Sequence, residues 1–133
     1  MKNQWKRIVM LSVFIASLVL SAFPLTQVVQ AKGIVTKITL TGSARYPATR
    51  GTAKYKVDGE REFQVEVENA RSLAGKTLNV FVDGKKVGSF VVNTLGAGRL
   101  NLNTIRGDIV PMIRSGSIVR IKFGTLLVMQ GTF

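Results

Sequence analysis

Three glutamates stand at even spacing in the run Glu62-Phe63-Gln64-Val65-Glu66-Val67-Glu68. In an extended strand, residues two apart share a face, so Glu62, Glu66 and Glu68 would align their carboxylates on one side. Paired carboxylates perform glycoside hydrolysis, one as acid and the other as base or nucleophile. That chemistry needs one carboxyl held protonated in a cleft, and the preceding strand instead offers Lys54 and Lys56 on the matching face. A positive neighbour favours the ionised carboxylate, so the row reads first as a solvated, charge-balanced face. Other catalytic systems lack their parts. The chain has no His and no Cys, which removes Ser-His and Cys-His nucleophiles, His-supported zinc, haem ligation and blue copper. Its 7 acidic residues never form a D-x-D-x-D-G calcium loop, and Gly96-Ala97-Gly98 does not match a phosphate loop. No catalytic residue, metal or cofactor is expected.

The basic residues are the second chemical resource. Lys and Arg number 19 against 7 Asp and Glu, a formal charge of +12, which favours polyanionic neighbours. Three places stand out. Arg45-Tyr46-Pro47-Ala48-Thr49-Arg50 reads as a loop with an accessible aromatic between two arginines; Lys85 and Lys86 mark a hairpin tip; Arg120 and Lys122 share the outward face of one strand. Arg45, Tyr46, Arg50, Lys85, Lys86, Arg120 and Lys122 are therefore the candidate contact residues. They would hold anionic polysaccharide or another envelope polymer by charge, with strong salt sensitivity and no sequence-specific reading of nucleic acid. Aromatic sugar platforms are poorly supplied, since the single Trp is Trp5, in the N-terminal segment.

That segment has the makings of a secretory signal. Lys2, Lys6 and Arg7 precede an apolar run over residues 8–20, and Val29-Gln30-Ala31 suits a signal peptidase. The expectation is a signal over residues 1–31 cut after Ala31, giving a secreted, periplasmic or cell-envelope protein. Pro24, Thr26, Gln27 and Gln30 suit cleavage better than a spanning helix, and the absence of cysteine excludes a lipid-anchored form. A retained segment would be the chain's one link to a membrane. Loss of Lys2, Lys6 and Arg7 takes the charge from +12 to +9. Residues 32–133 then form a single domain that must be stabilised by packing, without disulfides.

Beyond residue 32 the hydrophobic pattern has period two, with turn residues at short intervals. Eight short strands are predicted, near 34–41, 52–57, 62–68, 77–82, 86–92, 99–103, 118–123 and 126–132. The fold class is all-β, an antiparallel β-sandwich or partly open barrel. Register parity calls for a three-residue loop around Asp58-Gly59, which sets Tyr55 opposite apolar residues and Lys54 and Lys56 opposite glutamates. The fourth and fifth strands are apolar on both faces, through Phe81, Val82, Phe90, Val91 and Val92, and should be central or have an outer face covered. Asp108-Ile109-Val110-Pro111-Met112-Ile113 breaks the alternation, and a helical turn over 108–113 is expected there, closing one end. Leu126-Leu127-Val128-Met129 could present a sticky edge for self-association. These strands are too short for an outer-membrane barrel.

Gly51-Thr52-Ala53-Lys54-Tyr55, Phe63-Gln64-Val65-Glu66-Val67, Gly107-Asp108-Ile109-Val110-Pro111, Leu127 and the closing Gly131-Thr132-Phe133 together resemble a group of short exported bacterial β-sandwich proteins of unassigned activity. The resemblance runs from about residue 38 to 133 and rests on glycine, proline and core positions. It implies a shared fold and brings no catalytic residue with it. The resulting expectation is a non-enzymatic envelope or extracellular binding or structural module. The alternative is a carbohydrate-related enzyme or binding domain that uses the glutamate face.

Overall fold

The computed structural model describes residues 33–133. The expected signal and its cleavage site therefore lie outside the described residues. Eight strands follow in chain order: β1 (Ile34–Gly42), β2 (Arg50–Asp58), β3 (Glu60–Glu68), β4 (Thr77–Val82), β5 (Lys85–Val91), β6 (Gly98–Asn103), β7 (Ile118–Phe123) and β8 (Leu126–Thr132). All their pairings are antiparallel, and one sheet holds them in the order β5-β4-β7-β8-β1-β2-β3-β6. The sheet curls until its two edge strands, β5 and β6, come into contact. The fold is thus all-β and takes the form of a nearly closed barrel, not two stacked sheets.

Alternation explains which side chains fill it. Leu40, Ala53, Phe63, Val65, Val67, Leu78, Val80 and Ile121 are buried and alternate with less buried chain neighbours, whereas Val128 and Met129 are adjacent and both buried, at the register shift between β7 and β8. The β2–β3 hairpin has the expected odd register, with Asp58-Gly59-Glu60 between the pair Val57 and Arg61. Tyr55 meets Phe63 and Lys56 meets Glu62, but Lys54 lies opposite Gln64 and not a glutamate. Gly59 supplies the positive φ of 68° that lets the chain turn here.

The barrel seam is closed by side chains. Gly88 on β5 faces Leu100 on β6, and Gly98 on β6 faces the Phe90 ring, each so closely that a Cβ would collide. No ladder hydrogen bonds join these two strands. Of the fourth and fifth strands, β4 is internal, between β5 and β7, whereas β5 is an edge, with Val91 exposed. β8, by contrast, is internal, between β7 and β1. Leu126-Leu127-Val128-Met129 consequently presents no free edge, because β7 pairs along it and Ser43 binds its carbonyls from the other side.

Residues 108–113 contain no helical turn. The nearest helical turn, a one-turn 3-10 helix, comes earlier, at Thr104–Arg106, with the Asn103 side chain accepting from the Ile105 N–H as its cap. Two local forces explain the displacement. Val110 precedes Pro111, and proline's ring pushes the residue before it out of helical backbone space. Asp108 is drawn backward instead of capping forward, since its Oδ2 accepts from the Asn103 N–H at 3.0 Å and from Arg106 Nη2 at 3.0 Å. The segment runs extended across one end of the barrel, with Val110 buried and Ile113 packed on the core. It closes that end as expected, as a strap.

Candidate functional site

The barrel places the candidate residues in three different surroundings. Arg45, Tyr46 and Arg50 lie at the end that carries the β1–β2 loop, whereas Lys85 follows the β4–β5 turn at the opposite, strapped end. Arg45 and Arg50 are exposed. Tyr46 is not the open platform that its sequence setting suggested: its side chain packs against the core, and its carbonyl accepts from the Thr49 N–H and the Thr49 hydroxyl. The loop is held together by its own residues.

Lys86, Arg120 and Lys122, by contrast, are brought onto one outer face. β4 pairs with β5 on one side and with β7 on the other, so Phe81 has Lys86 as its partner across one ladder and Arg120 across the other. Phe81 sits between the buried Val80 and Val82, so its ring must point away from the core. Lys122, two residues along β7 from Arg120, holds its Nζ 5.0 Å from the centre of that ring. A cation over an aromatic face is attracted by the ring quadrupole, with roughly 0.5–1 kcal/mol at exposed sites. Arg120 Nε also donates to Gln130 Oε1 on β8 at 3.2 Å, which fixes the guanidinium over the next strand. Phe81, the apolar residue on the outer face of β4, is therefore flanked by basic residues on both sides, with the Lys122 ammonium over its ring.

Lys86 reaches this face through an irregularity. The register shifts between Val80 and Phe81, so that Val80 meets Gly88 while Phe81 meets Lys86, with Val87 bulged out of the pairing. Such a bulge re-aims the side chains that follow it. Without it Lys86 would fall on the inward side.

The acids are segregated from this face. β4, β5, β7 and β8 contain no Asp or Glu, and all five strand acids lie on β2 and β3. Asp83, in the β4–β5 turn, is committed to the Ile118 N–H through Oδ1 at 2.9 Å. Among the described residues, Arg45, Arg50, Lys85, Lys86, Arg120 and Lys122 make no salt bridge; the ion pairs formed are Arg99 with Glu66 and Arg106 with Asp108. No protein-family model and no curated protein matches this chain. The site therefore has to be read from its own chemistry.

The glutamate row does lie on the outer face of β3, as its spacing implies. Glu66 Oε1 accepts from Gln64 Nε2 at 2.8 Å and pairs with Arg99 of β6 at 3.3 Å, while Glu62 Oε2 accepts from Asn103 Nδ2 at 3.3 Å. The partners are thus neighbours on β3 and β6, and the expected lysine pairing does not form within ion-pair distance. Glu66 and Glu68 line a shallow depression of about 290 Å³ with Lys37, Thr39, Arg50, Gly51 and Thr52.

Proposed function

We propose that this protein is an exported, non-enzymatic binding module of the cell envelope or its surroundings, which holds anionic polymer on the outer face of β5-β4-β7-β8. The observation that carries this reading is the convergence of Lys86, Arg120 and Lys122 around Phe81, on four strands that contain no acid. Cations with no carboxylate nearby attract a polyanion over distances near the Debye length, about 8–10 Å at moderate salt. The half-buried Phe81 ring adds an apolar contact for the polymer backbone. Arg45 and Arg50 at one end and Lys85 at the other lie beyond these central three and are not counted among the polymer's contacts.

Binding through released counterions fixes the test. In duplex DNA each neutralised phosphate contributes about 0.9 to the slope of log affinity against log salt, so three contacts give a slope near −3. Between 50 and 200 mM salt, affinity for a linear sulfated polysaccharide should then fall by about 40-fold, from the same scale. Arg120→Ala with Lys122→Ala should leave a slope near −1 and a fall of about 4-fold. Lys54→Ala with Lys56→Ala, among the glutamates, should leave the slope unchanged. Salt-insensitive binding, or equal loss in both double variants, would exclude this face as the site.

A further inference from the structure

Beside the polyanion face, and sharing Lys86 with it, the strapped end of the barrel carries an apolar groove that the charge-based reading leaves unexplained. Val82 forms its floor, Val87, Ile109, Pro111 and Met112 form its walls, and Lys85 and Lys86 stand at its rim. Its volume is about 600 Å³, within the range of about 300–1,000 Å³ of small-molecule sites. We infer that this groove binds a single-chain anionic amphiphile, an aliphatic chain ending in a carboxylate or phosphate.

Three observations support that occupant. The first is the exposure of apolar side chains that had an alternative. Along the extended strap Val110 turns inward and is 4% exposed, whereas Ile109 is 90% and Met112 is 59% exposed. Isolated exposed apolar residues are ordinary; several converging on one depression mark a contact surface for apolar matter. The second is charge. Lys85 and Lys86 are exposed and free of salt bridges among the described residues, and the one acid in the lining, Asp83, already accepts from the Ile118 N–H. An aliphatic chain against Val87, Ile109 and Met112 would place an anionic head beside these ammonium groups. The third is adaptability. Residues 108–114 belong to no strand, so no ladder holds the strap's outer wall, and Met112 has an unbranched, flexible side chain able to fit chains of differing shape.

Methionine methyl resonances give a direct test, because Met112 lines the groove while Met129 is fully buried inside the barrel. Protein recovered from cells grown on methyl-13C methionine is titrated with dodecanoate below its micellar concentration. The Met112 methyl should shift saturably while Met129 stays in place. Dodecyltrimethylammonium, with the same chain and the opposite head, should bind at least about 10-fold more weakly, and acetate should cause no shift. Lys85→Glu and Ile109→Ser should each weaken dodecanoate by about 10-fold, with an unmoved Met129 methyl certifying the fold. Arg120→Ala with Lys122→Ala should leave dodecanoate binding intact, which separates this groove from the polyanion face. An unmoved Met112, equal binding of both amphiphiles, or a response only to anionic phospholipid vesicles would overturn the inference, the last in favour of a membrane surface.

Discussion

The barrel seam allows a sharp test of how the fold is held closed. Gly88 sits inward on β5, opposite Val80, and a methyl group there would come within 2.8 and 2.9 Å of the two δ-carbons of Leu100 on β6. Overpacking of this kind costs about 1–3 kcal/mol. Replacing glycine also removes freedom from the unfolded chain, which offsets about 0.4–1 kcal/mol. The obstacle is the flexible end of a half-buried leucine, so the cost belongs at the low end and Gly88→Ala should destabilise by about 1 kcal/mol net. For a body of this size that lowers Tm by about 4–8 °C. In a Leu100→Ala background the collision is gone, and the same change should be neutral or stabilising. Urea unfolding of the four proteins measures the coupling, which should exceed the additivity error of about 0.3–0.5 kcal/mol. Gly51→Ala serves as the contrast: its new methyl would meet the Glu66 carbonyl oxygen at 2.7 Å, a backbone atom on which Leu100 has no bearing. If Gly88→Ala stabilises the protein, or its cost simply adds to that of Leu100→Ala, the side-chain seam does not close the barrel.

Asp108 should shape the acid limb of stability. The Asn103 N–H first, then the Arg106 side chain, hold its carboxyl below the usual 3.8, so its contribution is full above that value and is lost as pH falls through the lower folded-state value. Asp108→Asn should flatten the decline of urea stability below about pH 4; an unchanged acid limb would remove this carboxylate from the account. Phe63, fully buried and paired with Tyr55 and Leu102, is a large inward side chain of β3. Phe63→Ala should cost about 3–5 kcal/mol in the same unfolding assay, and a cost under about 1 kcal/mol would mean the interior collapses onto the gap.

The strands and their faces were legible because period-two alternation acts locally: Phe63, Val65 and Val67 could hardly point anywhere but inward. The odd hairpin register followed from the same parity. The sheet order was not legible, since the pairing of β1 with β8 and of β4 with β7 depends on contacts far apart in sequence. The strap was misread because Asp108 can cap in either direction, and only the position of Asn103 and Arg106 decides which. Arg120 and Lys122 could be placed on one face by their spacing. Their union with Lys86 could not, because it depends on the bulge at Val87 and on β4 lying between β5 and β7. Phe81 was not singled out as outward, because its strand reads as apolar on both faces; its place between Val80 and Val82 was the available signal for the centre of the face.

The junction of β1 with β8 bears on when the chain can become a folded object. Ser43 Oγ donates to the Leu127 carbonyl across 84 residues, and Thr41 pairs with Gln130. The first strand of the barrel is thus locked by its eighth. Contacts this distant make folding slow, because a long loop must close before they reward it. The barrel cannot close on β1 to β7 alone and stays open until the residues of β8 are in place. Loss of those residues would leave β7 and β1 facing one another across an empty lane, and the damage would reach the whole body and not only its tail.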